Sequence, residues 1–197
     1  FEKLYINGQW QDSSSGRFIE VENPATLEHF AKVPEGNSED IDRAVRAAHD
    51  AFESWSKTEL GTRIGLMKKM LAVFESYKDQ IIDLEVKELG APVSFSVQSH
   101  CVYQFTRTRS YIDCAAELPL EESLKQSTVY REPIGVVACI TPWNYPLGQV
   151  VQKIIPAILM GNTVVLKPSQ HTPLTAYLLV DAFDQAGSPA GVINMVT

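Results

Sequence analysis

Over the first third of the chain, apolar and polar positions alternate in short runs before the period changes. "KLYING" and "RFIEVENP" alternate as strands do, with Gly8, Gly16 and the serines at 13 to 15 as turn signals. "EHFAKVP" predicts a third strand. From Asn37 the period becomes helical: Ile41, Ala44, Val45, Ala48, Phe52 and Trp55 share one stripe. Ser38 is the expected N-cap, with acids in the first turn. A second helical region covers Thr62 to Leu89, with an expected break near Lys78 and Gly90 as its stop. Pro92 suits the first turn of a third helix running to about Leu118.

"ELPLEESLKQSTVYREPIGVVACI" then returns to strand character, and its charged first half predicts an arm leaving the main body. "GVVACI" is a continuous apolar run, as in a strand covered on both faces of a parallel sheet. A strand (Val136–Ile140), a helix (about Leu147–Leu159), the strand "TVVLK", the helix "PLTAYLLVDAFDQA" and the strand "VINMV" follow in turn. This alternation predicts an α/β fold: the first half of a doubly wound, Rossmann-like parallel sheet, preceded by short strands and helices. The expected divisions are residues 1–117, an arm over 118–133, and the sheet over 134–197. Because the run ends after a third strand, the edge of Val136–Ile140 is expected to be unpaired and the chain to be part of a larger protein. The start at Phe1 without Met is expected of a trimmed sequence.

Composition narrows the function classes. Net charge is −7, from 17 basic and 24 acidic residues without long runs of either sign, so no stripe is offered to nucleic acid. No segment has the length and apolarity of a membrane span, and "FEKLYINGQW" lacks the apolar core of a signal peptide. Three widely spaced cysteines, Cys101, Cys114 and Cys139, argue against a disulfide framework and for a reducing, cytoplasmic setting. No His/Cys/carboxylate spacing indicates a metal; His100 beside Cys101 reads as chance adjacency.

The chemistry concentrates where such sheets bind ligands, beyond the carboxyl ends of the strands. There "TPWNYP" follows the first parallel strand and "KPSQ" the second. Pro142 and Pro146 prevent continuous regular structure and hold Trp143 and Asn144 on a stiff turn. The Asn144 amide can donate to a carbonyl oxygen gaining negative charge, or serve as a turn or N-cap residue before the helix. Lys167 stands where dinucleotide folds commonly place the acid that meets the adenosine ribose. It reads either as a surface lysine before a proline or as a donor to ribose hydroxyls or a 2′-phosphate. Ser169 and Gln170 add neutral hydrogen-bonding groups. Lys153 points nearly away from the stripe of Leu147, Val150, Val151, Ile154, Ile155 and Ile158, toward solvent or a second domain. Cys139, in an apolar strand, reads as an inert thiol. The glycine fingerprint G-x-G-x-x-G is missing.

Taken together, these residues resemble the aldehyde dehydrogenase superfamily. "PWN" after a buried strand, a Lys nine residues beyond the Asn, "PAILMGNTVVLKPS" and "AGSPAGVINMVT" occur in the family's order and spacing. The match runs from "INGQW" and "NPAT" to the end of the chain. The resemblance implies an enzyme that oxidises an aldehyde to a carboxylic acid with NAD or NADP. In the family a cysteine thiolate attacks the carbonyl, hydride passes to the nicotinamide, and a glutamate-activated water releases the acid. Carried over, Asn144 helps stabilise the oxyanion, and Lys153 has a proton-relay or charge-supporting role. Ile140, Thr141, Pro142 and Trp143 line the cofactor cleft, and Lys167, Ser169 and Gln170 hold the adenosine ribose. The segment from Leu118 to Pro133 takes part in self-association as a dimer or tetramer.

Two departures matter. Position 170 is Gln where many members carry Glu, which leaves NADP open beside NAD. The chain also ends before the family's nucleophilic Cys, its general-base Glu and its glycine-containing phosphate loop, so this chain alone is expected to be inactive. Two other readings stand beside the leading one. The first is part of a coenzyme-A-acylating semialdehyde dehydrogenase, a branch that more often has Phe where Trp143 stands. The second is a truncated, non-catalytic nucleotide-binding or assembly module.

Overall fold

The N-terminal alternation folds into two hairpins with different destinations in the computed structural model, which describes residues 1–197. β1 (Leu4–Ile6) and β2 (Gln9–Gln11) are joined by Asn7 and Gly8 at φ 54° and 72°. Positive φ at both positions is what a two-residue hairpin turn requires, and Asn-Gly supplies it at least steric cost. β3 (Phe18–Asn23) and β4 (Glu28–Pro34) form a separate two-stranded sheet with an irregularity at Val21/Glu22.

α1 (Ser38–Trp55) is capped one residue earlier than expected. Asn37 Oδ1 accepts the N–H groups of Glu39 and Asp40 at 2.9 and 3.1 Å, while Asp40 accepts the N–H of Asn37 at 3.1 Å. Only Asn37 stands three residues before an acid able to return the bond, so the reciprocal capping box selects it over Ser38. Of the expected stripe, Ala44, Ala48 and Trp55 are buried, Ile41 and Phe52 half-buried, and Val45 exposed.

α2 (Leu60–Ser76) and α3 (Lys78–Leu89) part at Tyr77, and Gly90 closes α3 in the left-handed region at φ 73°. The third helical stretch begins as expected after Pro92 but is not uniform. A turn of α-helix, α4 (Val93–Phe95), passes into a π-helical segment (Ser96–Val102) and then α5 (Tyr103–Glu117). Apolar periodicity does not distinguish one wide turn inside a helix. β5 (Glu121–Ser123) and β6 (Thr128–Tyr130) make a hairpin whose side chains are all exposed.

β7 (Val136–Ile140), α6 (Pro146–Leu159), β8 (Thr163–Lys167), α7 (Leu174–Gln185) and β9 (Ile193–Met195) complete the chain. The main sheet has the order β2-β1-β9-β8-β7. β7, β8 and β9 are parallel, but β1 pairs antiparallel with β9 through Tyr5 and Met195. The expected parallel sheet is therefore mixed. The N-terminal strands, read as preceding the sheet, cover the free edge of β9 that a purely parallel arrangement leaves unpaired. β7 forms the other edge, where Ile140 is 68% exposed.

Alternation along β8 builds two core layers. Val164 and Leu166 join the larger cluster with Ile154 and Ile158 of α6 and Leu179 and Phe183 of α7. Val165 faces the other way, onto Ala44 and Ala48 of α1. Each such aliphatic side chain contributes roughly 1.5–3 kcal/mol on burial. The expected apolar stripe of α6 is buried throughout.

Candidate functional site

Strand register brings the two chemical loops together. Ile140 of β7 is the pairing partner of Lys167 of β8, so the chain leaves both strands side by side. Two bonds tie the loops to each other. The Thr141 N–H donates to the Lys167 carbonyl, and the Thr172 hydroxyl donates to the Trp143 carbonyl, both at 3.2 Å. Thr141 is buried by this arrangement, while Pro142, Trp143 and Asn144 are exposed, Trp143 by 56%. Lys167 and Gln170 are exposed and Ser169 is half-buried. The Lys167 ammonium donates only weakly, to the Pro168 carbonyl at 3.4 Å, and Ser169 Oγ accepts the His171 N–H at 3.2 Å. Three donor-bearing side chains are thus presented at a strand end without a carboxylate among them, a set suited to sugar hydroxyls or a phosphate.

Lys153 lies apart from this group. Seven residues of helix separate it from Pro146, roughly 10 Å of axial rise. Its ammonium donates to Gln149 Oε1 at 2.8 Å from a half-buried position. The same charge reaches Cys139: burial pushes that thiol up to about 11, with Lys153 acting in the opposite direction. Burial likewise pushes Cys101 up to about 12. Cys114 is exposed, but it stands beside Pro156, Leu159 and Met160, at the opposite end of α6 from Asn144. No cysteine here joins an exposed thiol to the two loops.

A groove of about 300 Å³ runs past Trp143, His171 and Thr172, faced by Glu20, Glu22 and Glu88. Glu20 and Glu22 give it the wrong sign for a phosphate, which directs any nucleotide phosphate elsewhere.

Two residues absent from the sequence expectations organise the site. Glu85 and Glu88 lie one turn apart on α3, both buried. Glu88 accepts the N–H groups of Leu174 and Thr175 at 2.7 and 3.2 Å, at the start of α7. Glu85 Oε1 accepts the N–H of Leu147 at 3.4 Å, in the first turn of α6. Burial pushes the Glu88 carboxyl up to about 8; the Glu85 charge adds to this and the backbone donors oppose it. One helix therefore satisfies the open donors of both helices that follow the chemical loops. The signal was present: Ile81, Leu84, Glu85 and Glu88 fall on one helical face, so two acids interrupt an apolar stripe. Both helices also lack a local side-chain cap, having Tyr145 and Pro173 at their N-caps.

Comparison with known proteins gives the family. The model of the aldehyde dehydrogenase family matches residues 10–197. A putative aldehyde dehydrogenase of Staphylococcus aureus (strain USA300) is 40% identical over 196 residues, covering 100% of this chain and 41% of its own length. The crystal structure of an aldehyde dehydrogenase from Bartonella henselae superimposes with TM-score 0.95 at 36% identity, over 99% of this chain and 42% of the other. A mutant of aldehyde dehydrogenase C from Pseudomonas syringae, solved with NAD+ and octanal, gives TM-score 0.95 at 38% identity, over 99% and 40%. The chain spans about two fifths of the length of these relatives. With 188 of its residues, from 10 to 197, inside the family match, the chain belongs to the aldehyde dehydrogenase family.

Proposed function

We propose that residues 1–197 are the N-terminal, cofactor-binding portion of an NAD(P)-dependent, non-phosphorylating aldehyde dehydrogenase, an enzyme that oxidises an aldehyde to a carboxylic acid. In this reading residues 1–117 are the strands and helices that open the cofactor domain. Residues 118–133 form a self-association arm, and residues 134–197 are the first half of a Rossmann-like, doubly wound sheet. The observation that carries the reading is the register of Ile140 against Lys167, which sets the Asn144 turn beside the Lys167–Gln170 loop. The relative solved with NAD+ and octanal supports the pairing of a nicotinamide cofactor with an aldehyde.

Each side chain then has a role its environment permits. The exposed Asn144 amide donates to the carbonyl oxygen of the aldehyde as negative charge gathers there. Lys153, held by Gln149, supports charge or relays a proton deeper along α6. Lys167, Ser169 and Gln170 hold the adenosine ribose, and Ile140, Thr141, Pro142 and Trp143 line the cleft. The residues fit the cofactor because Lys167 has only one weak internal partner and no acid stands beside it to repel a 2′-phosphate. When bound, NAD(P) supplies hydride acceptance; the chain's own residues bind, orient and donate. Gln170 favours neither coenzyme by charge, so NAD and NADP are both accommodated.

The decisive experiment assays the complete protein with an aldehyde panel and each coenzyme, with acid product measured with and without coenzyme A. Acid formation without coenzyme A supports the reading, and strict dependence on it moves the protein to the acylating branch. Asn144→Ala is expected to lower kcat by about 10²–10³ while leaving coenzyme affinity in place. The 197-residue chain alone is expected to form no NADH or NADPH from any aldehyde; turnover by it would overturn the assignment of catalysis to the longer protein.

A further inference from the structure

The turn that carries Asn144 is held from behind by a buried assembly that the proposed chemistry does not use. The π-helical segment Ser96–Val102 places His100 in the interior, 1% exposed. The imidazole stacks on the Tyr145 ring with centroids 4.3 Å apart and planes 25° apart, and the edge of Phe95 closes it at 5.0 Å. His100 Nδ1 lies 2.9 Å from Glu85 Oε2, close enough for charge contact but without hydrogen-bond alignment, while Glu85 Oε1 takes the Leu147 N–H. Gly148 also stands against the tyrosine: a Cβ there would come within 2.6 Å of Tyr145 Cδ1 and 3.3 Å of Gln104 Nε2. The Tyr145 ring is thereby packed against both the imidazole and the Gly148 backbone. The residue joined to Asn144 is anchored through its side chain, and the helix beginning just after it is anchored through its N–H.

We infer that His100 and Glu85 are positioning residues: together they fix Tyr145 and the start of α6, and through them the orientation of Asn144. The π-helical turn is the device that makes this possible, since its extra residue rotates His100 out of α-helical register and into the stack. Such turns recur at functional sites. The groups facing His100 are Glu85 from α3 and the Tyr145 ring, with Glu88 coupled by charge to Glu85. The inference rests on the role proposed for Asn144, but the anchoring is measurable without it.

The test therefore has two arms. In the complete protein, backbone order parameters of Trp143, Asn144 and Tyr145 are measured by NMR in the parent and in His100→Phe, which keeps a stacking ring and loses Nδ1. The expected result is a drop from about 0.85 to below about 0.6 at these residues, with β8 and β9 unchanged. Glu85→Gln is expected to give the same pattern, and the double variant no more than either alone, because both act along one chain of contacts. Should His100→Phe fail to fold, His100→Gln takes its place. Unchanged values at Trp143 to Tyr145 in a folded variant, or an equal loss across the whole sheet, overturn the inference.

In the complete protein, His100→Phe is expected to lower kcat about tenfold with the KM for coenzyme unchanged. Equal changes in kcat and in coenzyme KM would make the effect merely structural and overturn the inference as well. If the complete protein oxidises no aldehyde, the dehydrogenase reading falls while the order-parameter result still decides the anchoring.

Discussion

Glu88 Oε2 accepts the backbone N–H of Leu174 at 2.7 Å, joining the last turn of α3 to the first turn of α7 across 86 residues of sequence. A carboxyl at a helix N-terminus is favoured by the helix dipole, but here full burial opposes its charge more strongly. The two effects make this contact a determinant of pH stability.

The Glu88 carboxyl titrates at about 8 in the folded chain, against 4.5 ordinarily. A raised native value means stability is fully present below about 4.5 and declines as pH rises through about 8. Urea unfolding between pH 5 and 9 is expected to show a decline on the order of a few kcal/mol attributable to this residue. Glu88→Gln should flatten it. A parental profile already flat over that range, or a Gln variant that declines as steeply, would contradict the assignment.

Asp40 shows the reverse sign. Burial would raise its carboxyl, but hydrogen bonds from Ser13 Oγ, Ser14 N–H, the Arg43 guanidinium and Asn37 N–H hold it down at about 2. Its contribution is present above the ordinary value of 3.8 and is lost as pH falls through about 2. Asp40→Ala strands four donors at the start of α1 and is expected to destabilise the chain by about 2–4 kcal/mol at neutral pH. Denaturant midpoints measured at pH 7 and pH 2.5 check this, since the gap between parent and variant should shrink at the lower pH.

Thiol reactivity separates the three cysteines. Cys114 is exposed, whereas Cys101 and Cys139 are buried with their thiols shifted upward. A thiol-specific reagent at pH 7.5 should modify one site rapidly and the others only on unfolding, because a buried thiol yields little thiolate. Mass mapping that finds fast modification of Cys139 would show that Lys153 overrides burial there.

Gly191 is a backbone requirement. It adopts φ +80°, and a Cβ at this position would fall 2.4 Å from the Ala47 carbonyl oxygen of α1. Gly191→Ala combines left-handed strain with a clash against backbone that cannot swing aside, and is expected to cost about 2–4 kcal/mol. A thermal midpoint within error of the parent would show that α1 can move away from the sheet.

The sequence by itself determined most elements and put the two polar loops after β7 and β8. Helical spacing from Ile41 to Trp55 located α1, apolar runs located β7 and β8, and Gly8 marked a turn. These signals are local: each depends on period, turn chemistry or the conformational limits of Gly and Pro within a few residues. The stiffness of "TPWNYP" is local too, which is why Asn144 stood out before any fold was known.

Only the tertiary structure decided the rest, because it turns on contacts between distant residues. The pairing of Tyr5 with Met195 makes the sheet mixed and brings the two ends of the chain together. The capping of α6 and α7 by Glu85 and Glu88 depends on α3 packing across both helix starts. His100 looked like a chance neighbour of Cys101 until the π-helical turn pointed it at Tyr145 and Glu85. Strand pairing and buried polar contacts are satisfied by whatever the fold brings near, whereas periodicity reports only which face of an element turns inward.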